Sequence, residues 1–478
     1  MEFKIGTGGE VKVVLVYKDD EFVEVANDAY LYAKDKGLFK GNVAETYSNI
    51  TYNNDNVIFL GMGERNKLSL EVLRKSFCAL GKEAIKYKVK SIDVELPKFD
   101  DLCYRKTVMS VVEGLLQSEY SFEKFLTEKK LKPTLEEVFL TVVKGKEDAV
   151  RESIIEAENI VEGIFVARNL VNEPAINMYP EVLADSAIKE LKGLEVKVDV
   201  FGKQKIEELG MHAFLSVARG SAKEPKFIVM SYEGNPQSKE KIALVGKGLT
   251  YDSGGYCLKT DSGMKTMHSD MAGSASVIGA LKAIAKSKIK KNVVAIVAAC
   301  ENMISGDAYK TGDIIGSMSG KTIEVGNTDA EGRLTLADAL WYASTVEKAD
   351  KIVDVATLTG ACVVALGHIT TGAITNNESF MKDLKEASYI SGENVWELPN
   401  FEEYKESYKA DFADLSNMGK DGAGTITAGL FLSEFVNDTP WIHLDIAGTS
   451  YSSSERGYLP KGATGVPVKT LYYLVKEF

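Results

Sequence analysis

Ile242-Ala-Leu-Val-Gly-Lys-Gly-Leu-Thr-Tyr-Asp-Ser-Gly-Gly255 begins as an apolar run and ends among glycines that carry an ammonium and a carboxylate. The run Ile242–Val245 shows no polar alternation, so it reads as a strand buried on both faces. Four more segments share this character: Lys226–Ser231, Val293–Ala298, Lys351–Val355 and Ile442–Ile446. Helical patterns, such as Ala272–Ala285 and Leu334–Thr345, separate several of them. This alternation predicts an α/β/α domain around a mainly parallel central sheet. Ligands of such sheets sit beyond the carboxyl ends of the strands. Lys247 and Asp252 follow just such an end.

Outward toward the amino terminus, short apolar runs at Val11–Val16 and Val57–Leu60 precede an amphipathic pattern over Leu68–Tyr87 and a further strand pattern at Ser91–Val94. This predicts a smaller α/β domain over residues 1–150. Gly61 and Gly63 lie between a strand and a helix, where a tight turn explains them better than a phosphate loop. From Lys146 to Val171, Ile154, Ala157, Ile160, Ile164 and Ala167 recur at steps of three or four, marking one helix face. Asn172-Glu173-Pro174 ends that pattern, because the residue before proline avoids helical geometry. Residues 151–172 are therefore expected as a linking helix and 173–478 as the second domain.

The 478 residues suffice for a sizeable core in each half, and 45% hydrophobic with 26% charged residues is ordinary globular composition. No apolar run approaches the roughly 18 residues of a membrane span, and the start does not resemble a secretion signal. Five cysteines without CxxC pairing point to free thiols in a reducing, cytoplasmic setting. A net charge of −12 disfavours non-specific nucleic-acid binding. With only four histidines, a metal site must lean on carboxylates.

A second segment, Asn327-Thr-Asp-Ala-Glu-Gly-Arg-Leu334, also sets acids and a base among small residues. Asp329, Glu331 and Arg333 are two apart, so an extended chain would turn all three to one side. Paired carboxylates repel unless a cation lies between them. Arg333 could be that cation in a purely structural pair. Asp252 and Asp270 add two more acids beside small residues, and four carboxylates suit two divalent ions. Taken alone, Lys247 is an ordinary strand-end lysine, although one crowded by dications can release its proton and offer a lone pair. Lys259 reads either as a solvated lysine or as a charge that polarises a substrate carbonyl.

The segment Asn327–Leu334 resembles the signature of the leucyl aminopeptidase family of two-metal exopeptidases. The resemblance runs from Asn169-Leu-Val-Asn-Glu-Pro174 through Thr357-Leu-Thr-Gly360 and Leu444-Asp-Ile-Ala-Gly448 to Gly462-Ala-Thr-Gly465. It implies metal ligands at Lys247, Asp252, Asp270, Asp329 and Glu331, and a catalytic pair at Lys259 and Arg333. It also implies a first-residue pocket lined by Met267, Gly360 and Ala447, suited to leucine and other bulky apolar side chains. Two divalent ions per subunit are implied, with manganese, zinc, cobalt or magnesium compatible with the ligands. A bicarbonate held by Arg333 as general base, a homohexamer and peptide substrates complete the expectation. Ala272 and Ser274 stand where the family usually has glycine and alanine, and Tyr256-Cys257 replaces a more aliphatic pair. These departures touch fine specificity.

Other readings fit less well. Gly316 is one position too close to Gly320-Lys321-Thr322 for a phosphate loop. Asp252-Ser-Gly-Gly255 is not the GxSxG elbow of a serine hydrolase. His268, near Asp270, reads as a supporting residue. A DNA-binding or scaffold protein on the same fold is the alternative from another class; an intact set of site residues and the acidic charge favour an enzyme.

Overall fold

The unbroken apolar runs become the middle of an eight-stranded sheet. A computed structural model describes residues 1–51, 56–96, 98–99, 101–129 and 135–477. The strand order is Val395–Glu397, Thr371–Thr375, Trp441–Asp445, Lys351–Ala356, Lys241–Asp252, Asn292–Asn302, Lys226–Glu233 and Val196–Phe201. The central strands, Trp441–Asp445 through Asn292–Asn302, run parallel. Antiparallel strands join on both flanks.

The Lys241–Asp252 strand extends well past the apolar run that announces it. Its pairing with Lys351–Ala356 ends at Gly246, opposite Val355. Pairing with Asn292–Asn302 continues to Asp252, opposite Asn302. The sheet therefore splits beyond Gly246, and Lys247 stands at the mouth of the split. The helix Ala272–Lys286 begins against this point. A Cβ on Gly273 would lie 2.0 Å from the Val355 carbonyl oxygen, and one on Gly246 would lie 2.6 Å from Ser274 Cα. Only glycine at both positions lets helix and strand approach this closely.

By contacts the chain divides inside the helix Glu147–Asn172: Met1–Val161 with Ser454–Pro460 form one unit, and Glu162–Ser453 with Lys461–Phe478 the other. The first unit holds a six-stranded sheet, ordered Glu2–Ile5, Glu137–Thr141, Ser91–Glu95, Val11–Val16, Val57–Gly61 and Thr46–Asn49. Only the last pairs antiparallel. The helix expected over Leu68–Tyr87 spans Leu70–Lys86, capped by the Ser69 hydroxyl, which accepts from the Val72 N–H. Gly63, at φ +74°, makes the expected turn. Ser454–Pro460 joins this unit through Tyr458, whose hydroxyl donates to Glu71 at 3.0 Å, and through the Gly457 carbonyl, which accepts from Lys82 at 2.7 Å.

A polar network is buried in the larger sheet. Asp354 accepts from Trp441 Nε1 at 2.6 Å, and its other oxygen lies 2.6 Å from His443 Nδ1. Burial works against a charged His443, but Asp354, then Asp445, more than offset it and hold the imidazole above its ordinary pKa; Arg333 opposes them. Such a group contributes its stability fully below the unfolded value, about 6.5, and loses it as pH rises through the folded value. Asp354→Asn should therefore lower the thermal midpoint most below pH 6, where removing one partner of a buried pair costs about 3–5 kcal/mol. The gap from wild type should narrow as pH is raised to 9. A gap independent of pH in thermal melts would refute the ion pair.

Candidate metal centre

Lys247 is buried, with its ammonium between two acids: 2.8 Å from Asp270 Oδ2 and 2.9 Å from Glu331 Oε1. It also donates to the Thr357 carbonyl at 3.0 Å. Its placement depends on Gly332, where a Cβ would lie 2.5 Å from Lys247 Cε. Lys259 repeats the arrangement on the other side, 2.8 Å from Asp252 Oδ2 and 2.5 Å from Asp329 Oδ1. Oxygens of Asp252, Asp329 and Glu331 all lie within 4.8 Å of one another. The structure thus gathers Lys247, Asp252, Lys259, Asp270, Asp329 and Glu331 at the split in the sheet.

The carboxylates are fixed by neighbours. Asp252 Oδ1 accepts from the Gly254 N–H at 2.9 Å and from Asn302 Nδ2 at 2.8 Å. Asp270 Oδ1 accepts from the Thr357 hydroxyl at 2.7 Å. The Asp329 N–H donates to Asn327 Oδ1 at 2.7 Å. Sequence reading left Asn302 and the side chain of Thr357 without roles. Asn302 was findable as the register partner of Asp252, had the Val293–Ala298 run been extended to its true end.

The expectation of an extended Asp329–Arg333 segment is corrected. Glu331 is the N-cap, already helical in backbone, and Arg333 lies in the first turn of the helix Gly332–Thr345. The helix starts early because Gly332 and Arg333 continue directly into the apolar Leu334–Thr345 pattern. Arg333 is buried and donates through Nη1 to the Asn417 carbonyl at 2.7 Å, while its Nε has no partner among the described residues. Burial lowers its pKa to about 10, against the pull of Glu331 and Asp445.

Electrostatics describe a site overloaded with negative charge. Burial, then Asp252, raises Glu331 to about 8, with Lys247 opposing. Burial raises Asp270 to about 6 against the attraction of Lys247. Burial disfavours the charge on both lysines, yet the adjacent carboxylates outweigh it and hold both above the ordinary lysine value. Glu331 Oε2 is buried without a hydrogen-bond partner among the described residues. Hard oxygen donors this close, one still unpaired, fit divalent cations.

The other sequence readings find their places. His268 packs edge-on against Tyr451, ring centroids 5.9 Å apart. The Ser253 hydroxyl donates to the Asn302 carbonyl at 2.7 Å, so it is held by backbone rather than by a base. Lys321 pairs with Glu434 at 2.5 Å just before the strand Thr322–Glu324, unlike a phosphate-loop lysine. Gly360 is exposed at the start of the helix Gly360–Leu366, and Met267 and Ala447 are half-buried. Asp445 links two of these turns: it accepts from the Ala447 N–H at 3.1 Å and from the Thr359 hydroxyl at 2.6 Å.

An acid-rich centre at the strand ends of an α/β sheet, framed by the buried Lys247 and the half-buried Lys259, defines a metallohydrolase class. The catalytic-domain profile of the cytosol aminopeptidase family matches residues 165–472, and its N-terminal-domain profile matches residues 13–129. The chain is 62% identical over 478 residues to a probable cytosol aminopeptidase of Clostridium tetani, covering 100% of this chain and 99% of the relative. A probable cytosol aminopeptidase of Treponema denticola is 49% identical, with 100% of each chain covered. Among solved structures, a mutant of tomato leucine aminopeptidase superposes with a TM-score of 0.90 at 33% identity, covering 100% and 97% of the two chains. The bottromycin maturation enzyme BotP in complex with Mn gives 0.88 at 28% identity, covering 98% and 99%. The chain belongs to the cytosol aminopeptidase family, and is a metallopeptidase of the leucyl aminopeptidase type.

Asp329→Ala and Glu331→Ala should each lose bound manganese, since each deletes a donor from the cluster. Metal analysis after dialysis against manganese buffer checks this. Wild-type metal content in both variants would make the two carboxylates structural.

Proposed function

We propose that the chain releases single residues, preferably leucine and other bulky apolar ones, from the free amino end of peptides, using two divalent ions per subunit. The convergence of Asp252, Asp329 and Glu331 within 4.8 Å carries this reading. Lys247, Asp252, Asp270, Asp329 and Glu331 would hold the ions, manganese or zinc foremost, with cobalt or magnesium also compatible. When bound, such ions would supply Lewis-acid chemistry: a site for the substrate's free amine, polarisation of the scissile carbonyl and a water of lowered pKa.

The chain's own residues divide the remaining work. Lys247 keeps its proton because Asp270 and Glu331 face it. Cationic charge on those same carboxylates would remove that support, so Lys247 would give up its proton more readily and could offer its nitrogen as a ligand. Lys259 stays charged and stabilises the oxyanion formed from the scissile carbonyl. Arg333, whose Nε has no hydrogen-bond partner among the described residues, would hold a planar bicarbonate with its guanidinium, and that anion would supply the general base. Met267, Gly360 and Ala447 line the first-residue pocket: a flexible thioether beside small residues offers a charged side chain little to pair with. Thr359, at the cap of the Gly360 helix, and Ala447 are drawn together by Asp445.

We also propose that the protein is a cytoplasmic homohexamer, with residues 151–172 as the joint between its domains. Val364, Ile369, Tyr389 and Trp396 are 90%, 64%, 77% and 65% exposed, apolar surface that further copies would cover. Among the described residues no helix is long and apolar enough to cross a membrane. Sedimentation as a monomer would remove the assembly.

Leucyl peptides should be cut by the manganese-loaded protein, not after chelation and not when the amino end is acetylated. Equal cleavage of acetylated and free peptides, or faster cleavage of aspartyl or lysyl peptides, would overturn the reading.

Lys259→Ala and Arg333→Ala should both retain metal and stay folded, with turnover lowered about 10²–10³-fold for Lys259→Ala, the usual cost of one oxyanion donor. Adding bicarbonate to degassed buffer should accelerate the wild type and Lys259→Ala, and Arg333→Ala much less. Equal responses in all three would leave Arg333 as a structural residue.

A further inference from the structure

We infer that Asn302 is a positioning residue that sets the cation affinity of the Asp252, Asp329 and Glu331 cluster by tying its two carboxylate-bearing segments together; this rests on the metal-centre reading above. Asn302 ends the strand Asn292–Asn302 and is fully buried. Its Nδ2 donates to Asp252 Oδ1 at 2.8 Å and to the Thr328 carbonyl at 3.0 Å. Both amide protons are thereby used, one on each segment, and Thr328 immediately precedes Asp329. Chain distance makes the link long-range: Asp252 and Thr328 meet only through contacts such as this one and the Thr328 hydroxyl, which donates to the Gly254 carbonyl at 2.7 Å. The Tyr309 hydroxyl donates to the same Thr328 carbonyl at 2.8 Å. Of the side chains in this clamp, Asn302 is the one that touches a proposed ligand carboxylate.

The chemistry calls for an amide. Asp252 Oδ1 is engaged by Asn302 and the Gly254 N–H, which leaves Oδ2 turned toward Lys259 and the cluster. An aspartate of the same size would present acceptors to a carboxylate and a carbonyl, both already acceptors. Asn302 Oδ1 is itself buried without a hydrogen-bond partner among the described residues. A buried acceptor left unpaired is costly, so the two donors are what this position retains. Asp270 is held independently, by the Thr357 hydroxyl and Lys247. Losing the Asn302 donors should therefore weaken one cation subsite and spare the other. Outer partners of metal ligands typically change affinity about 10–100-fold.

The test titrates manganese into the metal-free full-length wild type, Asn302→Asp and Asn302→Ala, by calorimetry and metal analysis. The wild type should bind two ions. In both variants one binding event should weaken about 10–100-fold while the other holds. Turnover of a leucyl amide should fall at limiting manganese and recover in excess, with KM unchanged. If Asn302→Ala does not fold, the isosteric Asn302→Asp carries the test. Wild-type affinities in Asn302→Asp, or equal weakening of both events, would overturn the inference. A wild type that binds no manganese would instead overturn the metal-centre reading itself.

Discussion

Four carboxylates converge where the sheet splits, and their mutual repulsion is the constraint to which the surrounding structure answers. In protein alone the charge is balanced by Lys247 between Asp270 and Glu331, and by Lys259 between Asp252 and Asp329. The balance is incomplete. Burial and neighbouring acids still hold Glu331 near 8 and Asp270 near 6, above the ordinary carboxyl range. A site built this way would gain from divalent cations twice: they would neutralise the acids, and they would free a lysine from its role as counter-ion.

The backbone serves that concentration of charge. The Lys241–Asp252 strand parts from one neighbour at Gly246 but follows the other to Asp252. This places Lys247 and Asp252 on one rigid strand rather than on a loop. Glu331 and Arg333 likewise sit at the rigid start of a helix. Glycine permits the closeness: Gly332 clears the Lys247 stem, and Gly273 lets a helix begin against the Val355 carbonyl. Substituting a larger residue at either would push apart the elements that hold the acids together.

How much of this was legible depended on the kind of signal. Runs such as Ile242–Val245 and Val293–Ala298 locate strands because a strand buried on both faces needs no polar alternation. Their ends were not legible: Lys247, Asp252 and Asn302 are polar yet remain in the sheet, since their partners come from distant segments. The Asp329–Arg333 spacing suggested an extended strip, but helix propagation from the apolar residues beyond prevailed. Site identities came through a family resemblance; spacing alone left Lys247 an ordinary lysine. The docking of Ser454–Pro460 onto the first unit has no local signature, because Tyr458 finds Glu71 only in the folded chain.

The protein does not treat its buried carboxylates alike, and the contrast separates structural acids from those kept for chemistry. Asp354 has both oxygens engaged, by Trp441 and His443. Asp338 is likewise committed, accepting from the Phe214 and Met318 N–H groups at 2.9 and 2.7 Å. Such acids join elements, and nothing is left over for a ligand. Glu331 is as deeply buried, yet among the described residues one of its oxygens meets no donor, and Arg333 two residues on keeps a buried donor without an acceptor. A buried polar atom left unpaired costs about 1–3 kcal/mol, a burden the two structural acids avoid. That the unpaired oxygen and the unpaired donor belong to residues two apart at the start of one helix is what a site would use to hold a cation and an anion from the same element.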